Sequence, residues 1–259
     1  MTLRFTAATY NILADAYVRP NRYPDSPPAA LEPRARRERQ LARIAKLDVD
    51  LLGLQEVEPA VHEAIAARLG AAYLGVHAQR PGRPEGCSVF VRRGKVELLD
   101  SHVHHYAART DDHQLALITR IELDGQRLAF ATTHLQWCPD QTGADEHVGR
   151  AQLLELLDVL DVRERGLERL VCGDFNAISR SPVIEAALAR GLALGAASQR
   201  PWDTCNANRR PRKLDYLLYP RERFVPHPDP LPTLRRDTPM PSLVEPSDHL
   251  PLRIAFTAG

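Results

Sequence analysis

RLVCGDFNA (169–177) is an apolar run that ends in a glycine, a carboxylate and an amide. In a strand, residues i and i+2 share a face, so Asp174 and Asn176 point one way while Phe175 turns into a core. Taken alone, an Asp or Asn after a strand is most often a turn residue. The pattern recurs, however: Asn11 follows RFTAATY, Glu56 follows LLGLQ, His134 follows LAFATT, Asp215 stands in KLDYLLY, and Asp248 and His249 stand in PSDHLPL. Strand after strand closing on an acidic, amide or imidazole group points to one site where the strand ends converge.

Working outward, apolar strands alternate with amphipathic helices along the whole chain. Strands are expected at 3–12, within the run 47–56, at 73–78, 87–92, 95–103, 114–123, 127–134, 168–173 and 250–256. Asp124-Gly125 is read as the hairpin turn that joins 114–123 to 127–134. Helices are expected at 34–47, 60–69 (stopped by Gly70) and 148–161, and between an Ser181-Pro182 N-terminus and Gly191. Nine prolines from Pro220 to Pro251 make most of that stretch read as loop. No linker or repeat interrupts the pattern, so residues 1–259 read as one domain of mixed α/β class.

Composition bounds the function. The 259 residues carry 34 basic and 33 acidic groups, a formal charge of +1, which argues against a uniformly basic coat and makes any nucleic-acid site local. A hydrophobic fraction of 44% excludes a disordered chain. Cys87, Cys138, Cys172 and Cys205 form no C-x-x-C pair, which removes zinc-ribbon and redox-motif readings and leaves reduced thiols in a cytoplasmic protein as the expectation. MTLRFTAATY has neither a charged start nor a long apolar core, so no signal peptide is expected, and no apolar stretch is long enough to span a membrane.

The polar set suits metal-assisted phosphoryl chemistry. A hard ion such as Mg²⁺ takes a few protein oxygens and leaves positions for phosphate oxygens. Glu56 and Asn11 are oxygen donors of that kind, His134, His249 and Asn176 can meet charge building on a phosphodiester, and Asp174 can orient a water. Asp215 can fix the tautomer of a histidine. Cysteine chemistry competes poorly because no thiol has a visible base, and G-x-S-x-G is absent.

Together, YNILAD (10–15), LQEVE (54–58), THLQW-x-P (133–139), GDFNA (173–177), LDYLLY (214–219) and PSDHLPL (246–252) resemble, in order, the endonuclease/exonuclease/phosphatase superfamily. YNILAD, QRPGRPEGCSVFVRR (79–93) and THLQW-x-P are most similar to its branch of carbon catabolite repressor deadenylases, nocturnin and Angel proteins. The resemblance implies a deoxyribonuclease I-like four-layer α-β-β-α sandwich with two packed mixed sheets. It implies a Mg²⁺-dependent (or Mn²⁺-dependent) phosphoesterase acting at RNA 3′ ends or on nucleotides. It implies Glu56 as the main metal ligand with Asn11 beside it, Asp174 orienting the attacking water, and Asn176 holding that water or a phosphate oxygen. His134 and His249 would bind the scissile phosphate, Asp215 would pair with His249, and Asp248 would support metal or histidine. Pro139 matches a position that packs on the terminal base. Where relatives place an aromatic before LDY, this chain has NANRRPRKLDY, so Arg209 or Arg210 stands there. The leucine-rich repeats by which some relatives dock into a larger complex are absent. A small-nucleotide phosphatase, a DNA nuclease and a catalytically silent RNA-binding module on the same scaffold are the alternatives.

Basic segments complete the reading. Arg80, Arg83, Arg92 and Arg93, with Arg209, Arg210, Arg212 and Lys213, form an anion funnel if both loops line the cleft. RARRER (34–39) reads as the outer face of a helix, Trp137 as core filling beside His134 in preference to stacking on a base, and His102, His104 and His105 as a surface or core-edge group.

Overall fold

The structure, a computed structural model, describes residues 3–107, 113–197 and 202–258. In chain order the elements are β1 (Arg4–Asn11), α1 (Pro28–Leu31), α2 (Pro33–Leu47), β2 (Leu51–Val57), α3 (Pro59–Leu69), β3 (Tyr73–Gln79), β4 (Gly86–Arg92), β5 (Val96–His105), β6 (Leu115–Leu123), β7 (Gln126–His134), α4 (Val148–Arg163), β8 (Glu168–Asp174), α5 (Pro182–Ala189), β9 (Leu192–Leu194), β10 (Asp215–Pro220), β11 (Phe224–Pro228) and β12 (Leu252–Ala258).

The strands form two six-stranded sheets, β11-β12-β1-β2-β4-β3 and β5-β6-β7-β8-β10-β9. Each is mixed through one parallel pair, β1·β2 in the first and β7·β8 in the second, set among antiparallel neighbours. The inner faces pack on each other through Phe5, Leu51, Val89, Leu117, Phe130, Cys172, Ile254 and Phe256, all buried. Contact is so close at Gly53 that a Cβ there would lie 2.4 Å from the Cys172 sulfur. Leu41, Ile44, Val61 and Ile65 of α2 and α3 cover the outside of the first sheet, and Leu153, Leu156, Leu160, Val183 and Ile184 of α4 and α5 cover the second. Two sheets between two helical layers follow from strands that are apolar on both faces.

Three local expectations need correction. Part of the proline-rich stretch is strand: Pro226 and Pro228 lie in β11, paired only with β12 at the sheet edge, where a missing N–H is tolerated. Ser181 stands at the N-terminus of α5 but its hydroxyl caps nothing. Arg36, in the segment read as an outer helical face, is fully buried: it bonds Asp15 and the carbonyl of Pro246 (3.0 Å). Among the described residues no helix is long and apolar enough to cross a membrane.

Candidate active site

Strand register assembles the site. Parallel pairing puts His134 opposite Asp174, and antiparallel pairing puts Asp215 on the other side of the same Asp174, so three neighbouring strands deliver three polar groups at one level. The close approach of β7 and β8 depends on Gly173 (φ 147°), where a Cβ would meet the Thr133 carbonyl oxygen at 1.8 Å. In the facing sheet, Asn11 pairs with Gln55, and the β2·β4 register shifts between Gln55 and Val57. Glu56 sits on that irregularity with φ 56°, and Asn176 beyond β8 has φ 49°. Two non-glycine residues in the left-handed region, both aimed at the site, mark strain held by the surrounding fold.

Asn11 ties the two sheets together. Its Oδ1 accepts the Leu13 N–H (3.0 Å), which turns its amide nitrogen toward Glu56 Oε1 (2.9 Å) and Asp174 Oδ2 (3.0 Å). Asn11 therefore presents N–H, with its oxygen already engaged, to the two carboxylates. The other Glu56 oxygen accepts the Ala14 N–H at 3.1 Å. Asp174 Oδ1 accepts the Asn176 N–H (2.8 Å), and Asp174 Oδ2 lies 3.6 Å from both His134 Nε2 and His249 Nε2. Asn176 Nδ2 donates to the Leu135 carbonyl (3.0 Å) and lies 2.9 Å from His134 Nε2. Asp215 Oδ2 lies 2.8 Å from His249 Nδ1, and the Tyr23 hydroxyl donates to Asp248 Oδ2 at 3.2 Å.

These groups face a cleft of about 700 Å³ lined by Glu56, His134, Asp174, Asn176, Asp248 and His249, with Arg22, Trp137, Cys205, Asn208, Arg210 and Arg212 around them. Among the described residues Glu56, Asp174 and Asp248 form no ion pair with a lysine or arginine. Hard oxygen donors collected without a cationic side chain fit a divalent ion. Asp174, Asp215 and His249 also offer ligand atoms within 4.8 Å of one another, a grouping that could hold a metal. Burial pushes the Cys172 thiol up to about 12 and raises Cys87 and Cys205 as well, so none of these three is activated.

Nearly all the residues singled out from the sequence meet here: Asn11, Glu56, His134, Asp174, Asn176, Asp215, Asp248 and His249, with Arg210 on the cleft wall. Two do not. Arg80 is buried, and its guanidinium donates to Glu85 (2.5 Å), a carboxylate with almost no water of its own, so it lies outside the cleft lining. Pro139 is exposed and is not part of that lining either. Other members of the expected funnel are also spent elsewhere: Arg209 pairs with Asp25, Arg92 with Asp48 and Asp50, and Lys213 packs over Trp202.

Trp137 corrects the core-filling reading, since it is 55% exposed in the cleft. Arg22, Tyr23 and Asn208 had no sequence signal, because they lie in irregular segments without periodicity. His104 bonds Glu155 (2.8 Å) at the edge of α4, which gives that histidine a carboxylate partner the spacing did not reveal.

A family model described as the endonuclease/exonuclease/phosphatase family matches residues 8–249. Nocturnin of Xenopus laevis is 29% identical across 98% of this chain and 72% of its own length. The CCR4-Not complex 3'-5'-exoribonuclease subunit Ccr4 of Saccharomyces cerevisiae is 28% identical across 70% of this chain but only 26% of its own length. Among solved structures, the human Nocturnin catalytic domain with bound sulfate superposes with a TM-score of 0.78 at 25% identity, covering 99% of this chain and 94% of that one. ANGEL2, a 2',3'-cyclic phosphatase, in complex with adenosine-2',3'-vanadate gives 0.83 at 19% identity over 99% and 96% of the two chains, a likeness of fold.

Proposed function

The chain belongs to the endonuclease/exonuclease/phosphatase family, in the branch of nocturnin, Ccr4 and Angel proteins, and is a hydrolase acting on phosphate esters; from that premise we propose that it cleaves phosphate esters at RNA 3′ ends with Mg²⁺ or Mn²⁺. The observation that carries this reading is Asp174, a buried carboxylate at the floor of the cleft with an imidazole 3.6 Å away on either side and Asn11 linking it to Glu56.

In this reading Glu56 holds the metal, with Asp248 close by, and Asn11 positions Glu56 and Asp174 through its amide N–H. The bound ion would neutralise charge on the phosphate oxygens. Asp174 orients the attacking water and receives its proton as the oxygen meets phosphorus in line with the departing oxygen. His249, held by Asp215, donates to the scissile phosphate, and Asn176 holds His134 through Nδ2 and accepts from the water through Oδ1. Residues 1–259 act as one domain, since Asn11 and His249 serve one cleft. The four unpaired, buried cysteines support a cytoplasmic setting.

The test is incubation with Mg²⁺ and 5′-labelled RNAs that end in 3′-OH, 3′-phosphate or 2′,3′-cyclic phosphate. A ladder identifies a 3′-exonuclease, and an altered end at constant length identifies end processing. No reaction on any of the three, with Mg²⁺ or Mn²⁺, overturns the proposal.

A further inference from the structure

Trp137 is a large aromatic left 55% exposed inside the cleft, three residues past His134. Its neighbours are fixed. The Leu135 N–H bonds the Asp174 carbonyl (2.9 Å), the Gln136 N–H bonds Gln152 Oε1 (2.8 Å), and Cys138 is buried. The indole is thus held outward by backbone anchored on both sides of it. A side chain of this size kept in water at the rim of a site is an unspent stacking surface.

The cationic groups around it are selective. Arg209 is taken by Asp25, and Arg212 reaches Asp140 at 3.4 Å. Arg22 and Arg210 line the same cleft, are exposed, and pair with no carboxylate among the described residues. A π face beside His134 and two uncommitted guanidiniums match a ligand with both a planar ring and a phosphate. A phosphorylated sugar or inositol offers the indole only C–H groups and no π face of its own.

Resting on the phosphoesterase reading above, we propose that Trp137 is the stacking platform for the nucleobase next to the scissile phosphate, with Arg22 and Arg210 meeting the adjoining phosphates. The site therefore selects nucleotide-bearing esters over base-free ones. Stacking tolerates every base, so the preference is for a base and not for one particular base.

The test compares binding of a short 5′-fluorescein-labelled oligoribonucleotide with that of the same strand carrying an abasic 3′-terminal residue, by anisotropy with divalent ions chelated. The expected result is a preference for the base-bearing strand that shrinks roughly 5- to 100-fold in Trp137→Ala and is largely retained in Trp137→Phe. Quenching of tryptophan fluorescence by unlabelled oligonucleotide, lost in Trp137→Phe, supports the same contact. A preference unchanged in Trp137→Ala, with the variant melting as the wild type does, overturns the inference. Because the readout is binding, base-dependent binding without hydrolysis of any RNA end would sink the proposed activity and leave the stacking role standing.

Discussion

Asp215 Oδ2 sits 2.8 Å from Nδ1 of His249, and the other imidazole nitrogen faces Asp174 Oδ2 at 3.6 Å. Burial works against the charged imidazole, but Asp215, with Cys205 and Asp174, outweighs it and raises His249 well above its ordinary value. Burial likewise raises the Asp215 carboxyl, and His249 opposes that shift. Asp215→Asn keeps the shape and removes the charge. The expected loss is on the order of 10²–10³-fold in kcat on an RNA or model diester, with the fold retained by circular dichroism. A rate within threefold of wild type would deny His249 its role as phosphate donor.

Glu56→Gln tests the metal. Glu56 Oε1 accepts from Asn11 and Oε2 from the Ala14 N–H, and a glutamine oxygen can keep one of the two. The variant should fold, lose activity, and lack the stabilisation by Mg²⁺ or Mn²⁺ expected of the wild type, about 2.7 kcal/mol at a hundredfold excess over Kd. Thermal melts with and without each ion read this directly. Equal ion-dependent shifts in the two proteins would move the metal away from Glu56.

Arg36 acts at a distance from the chemistry. It binds Asp15 and the carbonyls of Ile12 (3.4 Å) and Pro246 (3.0 Å), and so joins the segments that follow Asn11 and precede Asp248. Arg36→Ala leaves a carboxylate and two carbonyls short of a partner and should cost about 3 kcal/mol in urea unfolding. A change below about 0.5 kcal/mol would show that Arg37, 2.5 Å from the same Asp15, suffices.

His77 and His62 stack at 5.2 Å and share the Ser88 hydroxyl, with Nδ1 at 3.0 and 3.1 Å. Burial, helped by His62, lowers His77 to about 4. An unfolded histidine titrates near ~6.5, so between those values the unfolded chain binds more protons. The contribution is present above pH ~6.5 and is lost as pH falls toward 4. Screening at this half-buried site reduces it to about 1 kcal/mol. Urea midpoints at pH 7 and pH 5 should differ less in His77→Asn than in wild type, and identical pH slopes would contradict the assignment.

Much of this was legible in the chain because strands obey a period of two. Each of Asn11, Glu56, His134, Asp174 and Asp215 closes or opens an apolar run, whereas Asn176 lies beyond β8 and reaches the site through a left-handed turn that the spacing did not show. What stayed hidden depends on partners remote in sequence. Arg36 looked solvated until Asp15 and Pro246 were seen to close on it, and Arg80 looked available until Glu85 claimed it. Trp137 reads as core from sequence because core and cleft both accept an indole, and only the pinned backbone beside it decides which way it turns. Pro226 and Pro228 argued against a strand, a rule that an edge position relaxes.

In the proposed reaction Asp174 is the group that drives metal-assisted phosphodiester hydrolysis. Its most direct test is the initial rate of Mg²⁺-dependent RNA 3′-end hydrolysis by wild type and by Asp174→Asn, an isostere whose single amide oxygen keeps one of the two bonds from Asn11 and Asn176. A fall of at least roughly 10³-fold, with RNA binding and melting temperature preserved, is the predicted result. Rates equal within experimental error would contradict it.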